Sequence, residues 1–146
     1  MIELALVLIM LVSLLVGTVS AAVAYGRSNS IQNAAREASR FGATLPGAAD
    51  AAWLNQVRGV ARAAALGDLD ASVSGSYICV AYIDEADTPI KLDNDSMTTA
   101  GDDCFNDGRS GEARVQVAVA RDTDFQVIVF STTVNLSAEA AARYER

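Results

Sequence analysis

Leu4-Ala5-Leu6-Val7-Leu8-Ile9-Met10-Leu11-Val12-Ser13-Leu14-Leu15-Val16-Gly17-Thr18-Val19-Ser20-Ala21-Ala22-Val23-Ala24-Tyr25 is the stretch on which the architecture turns. It holds 22 residues without a charge. At a helical rise of about 1.5 Å per residue it reaches roughly 33 Å, enough for a hydrocarbon core of about 30 Å. The stretch reads as a membrane helix. A secretory signal peptide is the competing reading, because Ala22-Val23-Ala24 offers a small-x-small cleavage site with Tyr25 as the first mature residue. Two features oppose it: the flanking charge, Glu3, is acidic, and the run is longer than a signal core of about 7–15 residues.

Within the run, Ser13, Gly17 and Ala21 recur every four residues and share one helix face. Small residues in such a row let a second helix approach closely in lipid, although a lipid-facing row of small residues is also common. The helix is expected to continue over residues 26–44, where Ile31, Ala34, Ala35, Ala38, Phe41 and Leu45 fall near a 3.6-residue period while Gln32, Asn33, Arg36, Glu37 and Arg40 face elsewhere. Anchor and extension together make a rod of roughly 60 Å, ended by Pro46-Gly47. A second helix is expected from an Asp50 N-cap to about Leu66, stopped by Gly67. Its buried stripe would be Trp53, Val57, Val60 and Ala64, with the single tryptophan pinning the helix onto a sheet.

From Tyr77 the pattern turns to strands. Residues 77–83 are β-branched and aromatic, and Val115, Val117 and Val119 alternate with Gln116, Ala118 and Ala120. Residues 125–130 read as an apolar run, and the short polar Asp122-Thr123-Asp124 before it as a hairpin turn. The tail is ambiguous. Its alanines favour a helix from Ser137, but Val134, Leu136, Ala138, Ala140, Ala142 and Tyr144 alternate as a strand should; period outweighs propensity here, since a helix would leave Val134 and Leu136 little to pack on. The fold class is therefore α+β: a transmembrane helix extended into an amphipathic one, a short second helix, and a small antiparallel sheet over about 77–144. The corresponding division is an anchor at 1–25 and one further domain at 26–146, about the size for a single modest core.

Charge separates along the chain. Residues 26–66 carry five Arg against two acidic residues, a net of +3, whereas residues 67–146 carry six basic against fifteen acidic, a net of −9. An acidic distal half with no basic patch argues against nucleic acid as a partner. Much of the acid sits in residues 84–111, a long loop with Asp84, Glu85, Asp87, Asp93, Asp95, Asp102, Asp103 and Asp107. No stretch in it has the ligand spacing of a calcium loop, so a solvated loop is expected and no metal. The chain has no His, no Gly-rich phosphate loop after a strand and no nucleophile elbow, so neither enzyme activity nor a cofactor is expected.

Two cysteines without a histidine cannot make a zinc site. A Cys79–Cys104 disulfide is the better reading, with two unpaired buried thiols the alternative. The bridge would contribute about 3 kcal/mol in the chain-entropy model and would place the C-terminal domain in an oxidising compartment. The positive-inside rule gives the opposite orientation, because Arg27, Arg36 and Arg40 follow the apolar run and no basic residue precedes it. The cysteines are given the greater weight.

Taken together, Glu3-Leu4-Ala5-Leu6-Val7-Leu8, the Tyr25-Gly26-Arg27 step and, above all, Gln32-Asn33-Ala34-Ala35-Arg36-Glu37-Ala38-Ser39-Arg40 resemble TadE-like proteins, the minor pilins or pseudopilins of tight-adherence (Tad, Flp) pilus systems. Residues 114–119, the ending from Val134 to Glu145 and the paired cysteines look like the same family, less specifically. The resemblance implies a single-pass protein of the bacterial cytoplasmic membrane with its domain outside, entering or supporting an extracellular pilus. Its partners would be other pilin subunits, the pilus assembly machinery and membrane lipid. It further implies a basic leader removed by a prepilin peptidase, from which this sequence departs in having only Met1-Ile2 before Glu3. Glu3 would correspond to the pilin glutamate that guides docking, which is physically reasonable because a carboxylate at the lipid boundary is costly until it meets a cation such as a neighbour's α-amine. The expected assembly interface is thus Glu3, Ser13, Gly17 and Ala21. A different class of reading is an exported binding module that uses the acidic disulfide loop.

Overall fold

One helix, α1 (Ile2–Thr44), runs from the apolar stretch into the folded domain without a break. The computed structural model describes residues 2–46, 50–93, 96–98, 103–127 and 130–144. No proline interrupts α1 before Pro46, and its lower half needs no special backbone because straight-chain and small residues dominate it. Over its last turns Ile31, Ala34, Ala35, Ala38 and Ala43 are buried, with Phe41 and Leu45 packed at the margin. Gly42 allows the closest approach: a Cβ there would stand 3.0 Å from Val115 Cγ1 and 3.1 Å from Val57 Cγ2. Gly47 lies outside the described residues.

Helix α2 (Ala51–Ala64) starts as its sequence dictates, with the Trp53 backbone N–H donating to Asp50 Oδ1 at 2.8 Å. It ends two residues earlier than expected, because Leu66 and Gly67 both take positive φ, 51° and 91°, and turn the chain back. Its buried stripe is also rotated: Trp53, Leu54, Val57 and Ala61 are buried, and Val60 and Ala64 only partly. The rotation arises because α2 lies beside α1, which packs on β4 and β5, and so must face both α1 and the β1–β2 side of the sheet.

Among the described residues the sheet has five strands, β1 (Tyr77–Ile83), β2 (Pro89–Asp93), β3 (Ser96–Thr98), β4 (Arg114–Val127) and β5 (Phe130–Arg143), all antiparallel in the order β3-β2-β1-β4-β5. Its helix-facing side is built from the pairs Ile78↔Val119, Val80↔Val117 and Tyr82↔Val115. Trp53 meets Tyr82 edge-on at 6.0 Å, and Tyr82 meets Tyr144 at 5.3 Å. Trp53 Nε1 and Tyr144 Oη both donate to the Leu45 carbonyl, at 3.4 and 3.1 Å. This aromatic row satisfies the end of α1 while joining it to both α2 and the sheet.

Two expectations are corrected. Asp122-Thr123-Asp124 is not a turn: β4 runs through it, with these residues opposite Asn135, Val134 and Thr133, and the strands are joined only through residues 128–129, which lie outside the described residues. Their polar side chains suit an arm that extends past the end of β1, whose pairing with β4 stops at Ala120. Nor are residues 84–111 all loop, since β2 and β3 lie within them. β2 holds too few apolar residues to announce itself; it forms because β1 offers it an edge in the register Ile83↔Pro89 to Cys79↔Asp93. The tail is a strand, with Ala138 buried and Leu136, Ala140 and Ala142 half-buried on its inner face.

Candidate functional site

Below the domain, α1 is a bare apolar surface: Leu4, Val7, Leu8, Ile9, Met10, Leu11, Leu14, Leu15 and Val19 are all exposed. It is the one helix among the described residues long and apolar enough to cross a membrane, and its apolar window is not buried at all. Two of its hydroxyls are satisfied within the helix, Ser13 Oγ donating to the Ile9 carbonyl at 2.9 Å and Thr18 Oγ1 to the Leu15 carbonyl at 2.8 Å, as an apolar surrounding requires. Ser13 and Gly17 are half-exposed and Ala21 exposed, on successive turns. Glu3 lies in the helix about 15 Å further along the axis, with its side chain outside the described residues. At 100° per residue, Ser13, Gly17, Ser20 and Ala24 align with Ile31, Ala35, Ala38 and Gly42. The small-residue row is therefore the continuation of the face that the domain buries higher up.

On the far side of the sheet the acidic segment is fixed in place. Cys79 and Cys104 form a disulfide with Cα atoms 5.8 Å apart, rooted on the outward-facing row Cys79↔Ala118, Ala81↔Gln116 and Ile83↔Arg114. Arg114, whose side chain is 4% exposed, gathers the carboxylates: Nη1 donates to Asp87 Oδ1 at 2.9 Å, Nε stands 3.1 Å from Asp107 Oδ2, and Nη2 stands 3.7 Å from Asp103 Oδ2. The Gly111 backbone N–H donates to Asp87 Oδ2 at 3.1 Å. A solvated loop was the expectation for these acids; instead Asp103 and Asp107 are drawn over the sheet, because a buried guanidinium requires paired charge. Asp95 and Asp102 lie outside the described residues. Among the described residues, no group of three or more acidic or cysteine side chains is arranged to hold a metal.

The Arg114 hydrogen bond, followed by the Gly111 N–H, holds the Asp87 carboxyl below the ordinary carboxylate range. Burial works against the Asp107 carboxylate, yet the Arg109 backbone N–H, the Gln116 side chain and the Arg114 charge together outweigh it and lower its pKa too. Burial, and then Asp93, push the Tyr77 phenol up. Carboxyls with depressed folded pKa values stabilise the fold above their unfolded pKa, near 3.8, and lose that contribution as pH falls through the folded values. Stability should therefore be flat from pH 7 to about 5 and fall below about pH 4. Denaturant unfolding across that range should show a shallower acid slope for Asp107→Asn than for the parent; identical slopes would place the acid sensitivity elsewhere.

Sequence reasoning missed Arg114 and Arg121 as anchoring residues. Arg121, also buried, pairs through Nη1 with Asp68 and donates from Nε to the Asp122 carbonyl at 3.2 Å. The available signal was an arginine at each end of a valine alternation where an apolar or uncharged residue would be cheaper.

The family model for TadE-like protein matches residues 1–40. No curated protein and no solved structure matches the chain. The matched stretch is the exposed apolar rod together with the turns of α1 that bury Ile31, Ala34, Ala35 and Ala38, so it is through the helix that organises its fold that this chain is similar to TadE-like proteins.

Proposed function

We propose that the protein is a non-enzymatic minor pilin, anchored by residues 1–25 as a single pass in the bacterial cytoplasmic membrane. Residues 26–146 would form a pilin-like domain outside, and the chain would assemble through its helix with other pilins in a Tad (Flp) pilus. The observation that carries this reading is α1 itself, an uncharged apolar rod continuous with the helix on which the domain is built. A helix that only tethered a domain would need no such rigid continuation. The Cys79–Cys104 bridge supports the outward orientation, since such bonds persist in oxidising compartments. The binding-module reading finds less support, because Asp87, Asp103 and Asp107 are turned onto Arg114 rather than presented to a partner.

Glu3 and Gly17 test the assembly role. Gly17→Leu places a bulky side chain where a neighbouring helix would approach, at a cost in packing that lipid contact does not restore. Glu3→Ala removes the carboxylate that would meet a partner's amine while making the segment more apolar, so insertion should survive. Both variants are expected to stay in the membrane and to lose crosslinks to other pilins together with piliation. Parental crosslinking and piliation in both would reduce the helix to an anchor and hand the function to the domain.

A further inference from the structure

We infer that the turn after α2, with Leu66 at its tip, dips into the headgroup boundary of the bilayer at the foot of the domain, giving the domain a lipid contact of its own. The inference rests on the membrane reading of residues 4–25. Two hydrogen bonds fix the level of this turn on α1. At the upper end Trp53 Nε1, in the first turn of α2, donates to the Leu45 carbonyl, and at the lower end Ser30 Oγ donates to the Ala65 carbonyl at 3.2 Å. Helix α2 therefore runs antiparallel to α1, and its C-terminal end is directed toward the apolar run. Ser30 is five residues from Tyr25, the last residue of that run. Five residues cover about 7.5 Å, roughly the depth of the headgroup layer on one side of the hydrocarbon core. Leu66, the next residue after Ala65, is thus held at the level of that layer.

The choice of residue at the tip carries the argument. The Asp68 backbone N–H donates to the Ala65 carbonyl at 2.9 Å, closing a turn whose two central residues, Leu66 and Gly67, both take positive φ, 51° and 91°. Glycine, asparagine or aspartate suits such positions. Leucine is disfavoured there twice, because its Cβ crowds the backbone in the left-handed region and because its side chain is 90% exposed, more than any described large hydrophobic residue of the apolar run. A single exposed leucine ordinarily needs no explanation. One held in a strained turn does, since water offers nothing to offset the strain, whereas the boundary between headgroups and acyl chains takes up an apolar tip. The polar surroundings fit the same layer. Arg27 stands one turn below Ser30, whose side chain faces α2, and on the adjoining flank of α1. It is half-buried, and no ion pair among the described residues involves it. A guanidinium at this level can meet a lipid phosphate with two hydrogen bonds. Of the acids that follow the turn, Asp68 is neutralised by Arg121 and Asp70 stays exposed, so the contact calls for the phosphate that every phospholipid carries and not for a surplus of anionic lipid.

The test uses the full chain in phosphatidylcholine vesicles with or without bromine on the acyl chains, in a Trp53→Phe background. Leu66→Trp reports the turn, Leu14→Trp the anchor and Thr44→Trp the exposed upper end of α1. Loss of emission on bromination at positions 14 and 66, with none at 44, is the expected result. Loss at 14 without loss at 66 overturns the inference, leaves the membrane reading intact and gives Leu66 to a protein neighbour or to water. Equal loss at 66 and 44 overturns it as well, because the domain would then touch lipid without regard to face. No loss at 14 removes the membrane reading and the inference with it. Should Trp53→Phe unfold the domain, p-benzoylphenylalanine at position 66 of the otherwise unchanged chain serves instead. Photoadducts carrying the mass of a lipid support the contact, and adducts confined to protein or water refute it.

Discussion

Replacing Arg114 by methionine is expected to lower stability by about 3–5 kcal/mol, the usual cost of breaking a buried ion pair from one side. The guanidinium is almost wholly buried, and Asp107 opposite it is 8% exposed, so the loss leaves a carboxylate covered by the sheet with no cation. Asp87 and Asp103 lie nearer to water and can turn outward, which makes Asp107 the seat of the penalty. Adding Asp107→Asn to Arg114→Met should therefore recover part of the loss, a coupling that a double-mutant cycle measures. Urea unfolding of the full chain in detergent, followed by Trp53 fluorescence, gives the numbers. A loss below about 1 kcal/mol would mean that the pair behaves as a surface ion pair and that the segment does not cover this side of the sheet.

Removing the disulfide should cost about 3 kcal/mol, through Cys79→Ala with Cys104→Ala, since the bond closes a loop of 25 residues in the unfolded chain. Cys79 is fully buried on the outward row of β1, and Cys104 leads directly into Phe105 to Asp107, so the bond holds down the segment that Arg114 also holds. The two losses should be less than additive, because a segment released by one change has less to lose from the other. Strict additivity would show that the bond and the ion pair act on separate parts of the fold. The same cysteines test topology: in protein recovered from cells, thiol labelling under denaturing, non-reducing conditions should modify neither. Full labelling of both would place the domain in a reducing compartment and end the proposal that it lies outside the membrane.

How far the chain could be read from its residues differed by element. Helix α1 was legible because its signals are local and redundant: no charge over the run, a 3.6-residue period beyond it, and Pro46 at its end. The tail was legible by period alone, against its alanine-rich propensity, because alternation decides which residues a sheet can bury. The turn placed at Asp122-Thr123-Asp124 failed because polar residues do not by themselves mark a turn; in an arm that has left β1 behind, Asp122 and Asp124 accept from Asn135 and Thr133 across the ladder while Thr123 is buried between them. β2 escaped notice for the opposite reason, since its pairing is supplied by β1 and not by its own composition.

The candidate surfaces divide in the same way. The sequence by itself determined the uncharged apolar run, the small-residue row of Ser13, Gly17 and Ala21, and an acidic segment bounded by two cysteines, since composition and spacing are properties of the chain. Only the tertiary structure decided that this row continues the buried face of Ile31, Ala35 and Ser39, that Arg114 turns the acids inward, and that β4 and β5 pack against α1. Each of these depends on which distant residues come to lie opposite one another. The register of a sheet and the facing of a helix are set by the packing of the whole domain, so no local pattern in the chain encodes them.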